Sequence, residues 1–337
     1  MHARGPPGTE AKMDNTELEV PEEMKAAVID RFGHPEEVMH VATIPVPEVG
    51  DDEVLVRVAA AGVGRWDPEL CEGKFGDESE PFPRVLGSDG AGTVVAVGAR
   101  AHRMKVSDRV YAWGFLNPKG GLFAEYAAIP EEDVSLIPGD LTTDEAAVLA
   151  VDGLTALAGL DALPIAAGVK LMILGASGGV GHLALQLAKR LGADVFAVAS
   201  GDDGLELVQR LGADGAVDGR VADVAASAHA FAPEGFDAAL VFGGSDQVAA
   251  LALVREGGRI AYPQGVEPAP EGSPQVGVSV FDGYSGHEAL ERLNELIAMA
   301  PFHVEVSREY PLDAATDAMR DVARHHVGKL ALAIGPS

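Results

Sequence analysis

One segment constrains this chain more than any other: Leu171-Met172-Ile173-Leu174-Gly175-Ala176-Ser177-Gly178-Gly179-Val180-Gly181-His182-Leu183-Ala184. An apolar strand runs into a glycine-rich turn, and the turn opens a helix. The turn reads Ala-x-Gly-x-x-Gly, with Ala176 in the place of a first glycine. At Gly178 the missing side chain lets an anion approach backbone N–H groups at a helix N-terminus, where the dipole favours negative charge. Gly181 lets the helix pack closely on the strand. Glycines alone are weak evidence, since an empty turn uses the same letters. Here the string follows a strand, precedes a helix and opens a strand–helix–strand unit, the context of a dinucleotide pyrophosphate cradle. The cradle comprises Ala176, Ser177, Gly178, Gly179, Val180 and Gly181.

Alternation continues around this unit. Strands are expected at Lys170–Leu174, Asp194–Ala199, Ala216–Asp218, Phe236–Val241 and Arg259–Ala261, with helices at Gly178–Leu191, Gly204–Leu211 and Asp246–Arg255. That pattern predicts an α/β domain with a doubly wound parallel sheet, a Rossmann arrangement over residues 147–278. From Met24 to about Asp140 the chain instead shows short strands and turns, such as Glu53–Val58, Gly92–Gly98, Asp108–Ala112 and Phe123–Ala127. These predict a β-rich, partly open barrel module. Between the two, Thr142 and Glu145 form a capping box for an Ala- and Leu-rich helical stretch. Beyond 278 come a helix at His287–Met299, strand-like Phe302–Val306, a short helix at Leu312–Val322 and a closing strand at Lys329–Ile334. No further strand–helix–strand unit follows, so 279–337 is assigned back to the first module, joining 24–146. Residues 1–23 are polar and acidic without periodicity, and are expected to form a disordered tail.

A chain of 337 residues accommodates two such domains. The formal net charge of −27 repels phosphate backbones and anionic lipid, so neither nucleic acid nor a membrane surface is an expected partner. Cys71 is the single cysteine, which excludes an intrachain disulfide and a cysteine-based zinc cluster. The longest apolar stretch, Ala146 to Val169, is interrupted by Asp152 and Asp161, and the N-terminus lacks the apolar core of a signal peptide. A cytoplasmic protein is expected.

The second strand of the nucleotide unit ends Val198-Ala199-Ser200-Gly201. An NAD site presents Asp or Glu there, to the ribose 2′-hydroxyl. Small residues and the Ser200 hydroxyl favour the 2′-phosphate of NADP(H), with backbone N–H groups at Ser200 and Gly201 as further donors. Against this, Asp202 and Asp203 follow and no Lys or Arg is adjacent, so NAD(H) stays open.

Several strings along the chain carry a resemblance. They include Met24-Lys25-Ala26-Ala27-Val28, Glu53-Val54-Leu55-Val56-Arg57-Val58, Ala60-Ala61-Gly62-Val63 and Pro83-Arg84-Val85-Leu86-Gly87-Ser88-Asp89-Gly90-Ala91-Gly92. Val106-Ser107-Asp108-Arg109-Val110, Gly120-Gly121, the loop Gly175–Gly181 and Gly328-Lys329 complete them. From Met24 onward the chain resembles medium-chain dehydrogenases/reductases of the zinc-independent quinone oxidoreductase (zeta-crystallin-like) type. The resemblance implies a GroES-like catalytic domain interrupted by a Rossmann domain, NADP(H) in the cleft between them, and a homodimer paired through the edge strand that follows Arg259-Ile260-Ala261. It also implies cofactor contacts from Thr155, Phe242, Gly243, Tyr262 and Lys329, the last a possible partner of the 2′-phosphate. Zinc-dependent relatives place their three ligands at the positions of Gly64, Ser88 and Val151. Only Asp89, beside them, is a donor, so no metal is expected. Many quinone oxidoreductases carry Asn at the position of Gly64 and a Tyr shortly after. Here the string is Gly64-Arg65-Trp66-Asp67-Pro68, which leaves the proton donor unassigned.

The remaining candidates each have a plain alternative. Trp66 and Trp113 form a substrate wall or are core aromatics. Asp67 is a weak catalytic candidate, orienting substrate or water, or is a structural cap. Thr155 meets the nicotinamide or bonds its own helix backbone. His325 and His326, adjacent on the chain, do not share a helix face and make no metal pair. Loops at Phe75–Pro83, Phe115–Gly120 and Val278–Gly286 shape the pocket.

Without a Lewis acid, the fitting small-molecule substrate is one whose electrons are already delocalised: a quinone, or a carbon–carbon double bond conjugated to a carbonyl. The leading expectation is an NADPH-dependent quinone or enone reductase. Three alternatives stand: a biosynthetic enoyl reductase, an alcohol dehydrogenase-like enzyme, and a nucleotide-binding protein that has lost redox activity.

Overall fold

The computed structural model describes residues 20–75, 81–243 and 251–335. The expected tail therefore lies outside the described residues up to position 19, as do the middle of the Phe75–Pro83 loop and the first half of the helix expected at Asp246–Arg255, whose last two residues are strand instead.

The chain begins with β1 (Glu23–Ile29), α1 (Pro35–Val38) and β2 (Met39–Pro45). There follow β3 (Glu53–Val63), α2 (Asp67–Cys71), β4 (Arg84–Val85), β5 (Asp89–Val97), β6 (Arg109–Trp113), β7 (Tyr126–Pro130) and β8 (Val134–Leu136). β1 holds β2 and β4 in a small antiparallel sheet. β3 is the long spine of the larger one: it is buried along nearly its whole length and pairs with both β5 and β7. The segment Phe123–Ala127, expected as a strand, contributes a single bridge at Ala124 before β7 begins, because the Phe123 N–H donates to Leu86 and its carbonyl accepts from Ala27.

The texture then changes, as the composition predicts. The capping box forms: the Glu145 N–H donates to Thr142 Oγ1 at 3.2 Å, and the Thr142 N–H donates to Glu145 Oε2 at 2.8 Å. It starts only a short helix, α3 (Thr143–Ala147), and the apolar run continues as the almost wholly buried α4 (Ala150–Asp161).

Six strands now form one parallel sheet: β9 (Lys170–Leu174), β10 (Asp194–Ala199), β11 (Gly215–Asp218), β12 (Phe236–Val241), β13 (Val254–Pro263) and β14 (Gly277–Phe281). Their order is β11-β10-β9-β12-β13-β14. Helices α5 (Gly179–Arg190), α6 (Gly201–Arg210) and α7 (Val224–Phe231) connect them. The order reverses between β9 and β12, which places a ligand crevice beyond the carboxyl ends of those strands. The continuous apolar runs of β9 and β10 suit a sheet covered on both faces. The expected domain boundary at 278/279 falls inside β14, the edge strand of this sheet.

The return segment supplies α8 (His287–Ala298), β15 (Val306–Pro311), α9 (Ala315–Asp321) and β16 (Lys329–Ala333). β16 pairs with β3 and β15 with β16, so the chain's end rejoins the first sheet. The strand expected at Phe302–Val306 starts only at Val306. The backbone of His303 is engaged by a side chain instead: its N–H donates to Gln186 Oε1 at 2.9 Å, and its carbonyl accepts from Gln186 Nε2 at 2.8 Å. Among the described residues no helix is long and apolar enough to cross a membrane.

Candidate functional site

The glycine loop and the return segment are stitched together. The Gly328 N–H donates to the Ser177 carbonyl at 2.8 Å, and Gly178 and Gly328 form a bridge. Beneath the loop, buried His182 accepts the Glu305 N–H on Nε2 at 3.0 Å. Its Nδ1–H is thereby left to donate to the Gly178 carbonyl, 2.9 Å away. Burial holds this imidazole below its usual pKa. Gly328, at φ +59°, passes so close to the Glu305 backbone that no side chain fits.

Three of the four loop glycines show different reasons to be glycine. A Cβ on Gly181 would sit 2.8 Å from the Ala176 Cα and nearer still to the Gly175 carbonyl, so helix–strand packing forbids it. On Gly179 it would strike the Asp152 carboxylate. On Gly178 it would meet only the Gly175 carbonyl, at an ordinary 3.5 Å. Gly178 caps α5 and lines the cleft; its own N–H donates to the Gly175 carbonyl at 3.1 Å, so the donors open to a ligand are the N–H groups of the first turn of α5, which have no partner within the helix.

That cleft is a cavity of about 960 Å³ between the two sheets. Ser177, Gly178, Gly179, Val180, Gly181, Ser200, Thr155, Phe242, Gly243, Lys329, Trp66 and Trp113 all line it. Ala176 and Tyr262 do not: Ala176 is fully buried under the loop, and the lining continues past Tyr262 with Pro263 and Gln264. Asp67 is also fully buried and does not open onto the cavity. Thr155 lines the cavity while its hydroxyl donates to the Val151 carbonyl at 2.7 Å.

At one end the walls are aromatic. Trp113 and Phe115 lie 6.1 Å apart, and Phe115 meets Phe75 edge-on at 5.8 Å. Phe281 joins them from the end of β14. Phe75, Phe115 and Phe281 fall on the three loops that the sequence marks as pocket-shaping, although their type gave no role, and Trp113, expected as a wall candidate, ends β6.

Trp66 packs against Gly64, one of the three positions where zinc-dependent relatives hold a ligand. A Cβ on Gly64 would lie 2.8 Å from Cδ2 of the indole and nearer to Cε2 and Cζ2. Space for a ligand at residue 64 is thus filled by the ring. The indole Nε1–H donates to Ser88 Oγ at 2.8 Å, and the Ser88 hydroxyl donates to Asp67 Oδ1 at 3.1 Å. Asp67 Oδ2 accepts the Gly64 N–H at 2.6 Å. Gly64 and Val151 offer no donor side chain, and Ser88 is already committed, so these residues do not fit a three-ligand zinc site.

Behind the indole lies a buried charge cluster. Lys329 Nζ is 2.7 Å from Asp89 Oδ2, 3.3 Å from Asp152 Oδ1 and 4.7 Å from the centre of the Trp66 ring. Burial alone would discharge this ammonium, but Asp152 and Asp89 overrule it and hold its pKa at about 12. Burial pushes Asp89 up to about 6 against the pull of Lys329. Asp67 is pushed up to about 7, again by burial, with the Gly64 N–H opposing and the Asp89 charge reinforcing it. Lys329 is therefore committed to these carboxylates and does not reach the end of β10.

At that end the donors differ from those expected. The Ser200 N–H donates to Ser177 Oγ at 3.2 Å, and the Gly201 N–H donates to Asp218 Oδ1 at 3.0 Å. Both backbone groups are already used, leaving the Ser200 hydroxyl. The basic side chains that sequence reasoning missed arrive from farther along the chain. Arg220 follows β11, Arg65 precedes Trp66, and Arg324, His325 and His326 precede β16; all line the cleft. No base stands beside the end of the second strand; Arg220 comes from beyond the third.

Comparison with known proteins agrees with this architecture. A family model described as "Alcohol dehydrogenase GroES-like domain" matches residues 50–139, and one described as "Zinc-binding dehydrogenase" matches 179–281. The chain is 37% identical over 212 residues to a 2-methylene-furan-3-one reductase of Solanum lycopersicum, spanning 60% of this chain and 54% of that protein. It is 32% identical over 316 residues to an NADPH-dependent alkenal/one oxidoreductase of Arabidopsis thaliana, spanning 91% of this chain and 78% of that protein. Among solved structures, an NAD-dependent alcohol dehydrogenase superposes with a TM-score of 0.83 at 28% identity, covering 93% of this chain and all of that one. A quinone oxidoreductase from Coxiella burnetii superposes with a TM-score of 0.77 at 25% identity, covering 92% and 99%.

Proposed function

The chain is a member of the medium-chain dehydrogenase/reductase superfamily, of the quinone and enone reductase type, and on that basis we propose that it is an NADPH-dependent, zinc-independent reductase of α,β-unsaturated carbonyl compounds or quinones. The observation that carries this reading is the replacement of a metal cage by the Gly64–Trp66–Ser88 arrangement inside a cleft that keeps an intact dinucleotide loop. Both curated relatives above carry names of reductases or oxidoreductases of conjugated carbonyl compounds, which supports the same class.

The bound nicotinamide supplies the hydride. The protein's own contribution is placement. Backbone N–H groups at the start of α5 receive the pyrophosphate, and the helix dipole adds to the attraction. Phe242, Gly243 and Thr155 bound the cavity nearer the domain interface, and Trp66, Trp113, Phe115 and Phe75 present apolar faces to a planar acceptor. Without a metal to polarise a simple carbonyl, the substrate must stabilise the added charge by conjugation. Asp67, with both oxygens engaged by Gly64 and Ser88, positions the indole rather than touching substrate. The proton that completes reduction is assigned to solvent entering the cleft.

A homodimer is proposed through β14, the exposed edge of the parallel sheet, where Val280 is half exposed. Light scattering at micromolar concentration should give twice the chain mass; a monomer would refute the pairing. A cytoplasmic site is proposed from the single buried free thiol, Cys71. The function itself is tested by NADPH oxidation with enones and quinones after chelator treatment, where activity should persist. Loss of activity on chelation, restored by zinc, would favour the alcohol dehydrogenase reading.

A further inference from the structure

A cluster of three charged or titratable side chains sits where β10 ends, assembled from both domains. Asp203 comes from the first turn of α6 and Arg220 from the loop after β11. His325 comes from the return segment, between α9 and β16. His325 Nε2 lies 3.0 Å from each oxygen of Asp203 and 3.1 Å from Arg220 Nη2. Gly201, at φ +80°, makes room for the cluster. A Cβ there would sit 2.7 Å from Asp203 Oδ1 and closer to Arg220 Nη2. The guanidinium therefore lies directly over the turn where an NAD site would present its ribose carboxylate. Ser200, Arg220 and His325 all line the cleft.

We propose that Arg220 and His325 form the seat of the NADPH 2′-phosphate, and that Asp203 is an internal anion held by His325 until the phosphate displaces it. The proposal rests on the NADPH-dependent reading above and identifies the residues that set cofactor choice at that site. It reverses the first impression left by Asp202-Asp203. A carboxylate engaged by His325 is tied up within the cluster rather than left facing the cofactor. A 2′-phosphate carries close to two negative charges and three acceptor oxygens, and so outcompetes one carboxylate for His325 while also engaging Arg220. Arg220 matches a phosphate with a planar fork. His325 ties the seat to the catalytic domain, so binding the phosphate also draws the return segment to the nucleotide domain. Asp218 anchors the turn beneath the cluster, its Oδ1 accepting the N–H groups of Gly201 and Arg220.

The test is equilibrium titration of NADPH and NADH into the full-length protein and three variants, with far-UV circular dichroism confirming that each is folded. The unaltered protein should bind NADPH roughly tenfold more tightly than NADH. Arg220→Gln and His325→Gln should each weaken NADPH by about tenfold and leave NADH within about twofold. Asp203→Asn should tighten NADPH several-fold without changing NADH, an outcome that a merely structural role for Asp203 does not produce. The seat is overturned by folded Arg220→Gln protein with unchanged NADPH affinity, or by equal losses for both cofactors. An unaltered protein that reduces enones with NADH in preference to NADPH overturns the seat while sparing the enone-reductase reading. One that binds neither cofactor refutes both.

Discussion

Trp66 stands where a side chain on residue 64 would have to be: a Cβ on Gly64 falls 2.8 Å from the indole Cδ2 and nearer to two further ring atoms. The two residues are therefore a coupled pair. Gly64→Cys should overpack the site and cost about 1–3 kcal/mol in chemical denaturation. In a Trp66→Ala background the same change should cost close to nothing, a coupling of similar size. Equal cost in both backgrounds would mean that the indole does not occupy that space.

The loop glycines separate binding from folding. Gly178→Val meets no protein atom closer than ordinary contact, so the protein should fold with nearly unchanged stability. Its side chain enters the pyrophosphate's path, and NADPH affinity should fall on the order of 10–100-fold. Gly181→Val collides with the Gly175–Ala176 backbone and should destabilise the fold itself. Thermal melting beside cofactor titration distinguishes the two. A folded Gly178→Val protein with unaltered affinity would remove the loop from the binding site.

Asp67 makes a pH-dependent prediction. Burial raises its pKa from the ordinary carboxylate range to about 7, so the folded state holds a proton that the unfolded chain releases near pH 4. As pH rises from about 4 to about 7 the unfolded state gains relative to the folded one, and stability is lost. Asp67→Asn cannot titrate. Whatever fixed cost the amide imposes, the stability difference should move in the variant's favour across that window and level off above it, by on the order of 4 kcal/mol at most. Urea denaturation at several pH values measures it. A difference that stays constant with pH would show that Asp67 is not held protonated.

Cofactor preference can be reversed at one position. Ala199 ends β10 and is buried, in the place of an NAD-type carboxylate. Ala199→Asp should supply a ribose acceptor and repel the 2′-phosphate at once, so that NADH binds more tightly than NADPH. Competitive titration checks this. A variant that still prefers NADPH would place the ribose elsewhere.

Much of the frame was legible because it is written in local spacing. Strand, glycine turn and helix at 170–190 are contiguous, and the capping pair Thr142/Glu145 is three residues apart. The pocket-shaping loops were also locatable, and Trp113 was a wall candidate, but not the partners that Phe75 and Phe115 make with it, since loop aromatics have no period. What the sequence hid is what the fold brings together from afar. Arg220 and His325 are 105 residues apart, and Lys329 meets Asp89 across 240. Reading only the residues beside Ser200 left the cofactor's charge partners unseen, and it also credited Ser200 and Gly201 with N–H groups that Ser177 and Asp218 already take. His303 is a further case. Its apolar neighbours read as strand, but the Gln186 side chain satisfies its backbone.

The most direct test of the whole account is steady-state oxidation of NADPH by chelator-treated, metal-free protein, with a planar aryl enone, a quinone and a saturated alcohol–ketone pair supplied in parallel. The account predicts NADPH consumption with the enone or the quinone, one equivalent of saturated ketone or hydroquinone per NADPH, and no turnover of the alcohol–ketone pair. Tight NADPH binding with no turnover of either conjugated acceptor, or turnover of the alcohol–ketone pair alone, would contradict it.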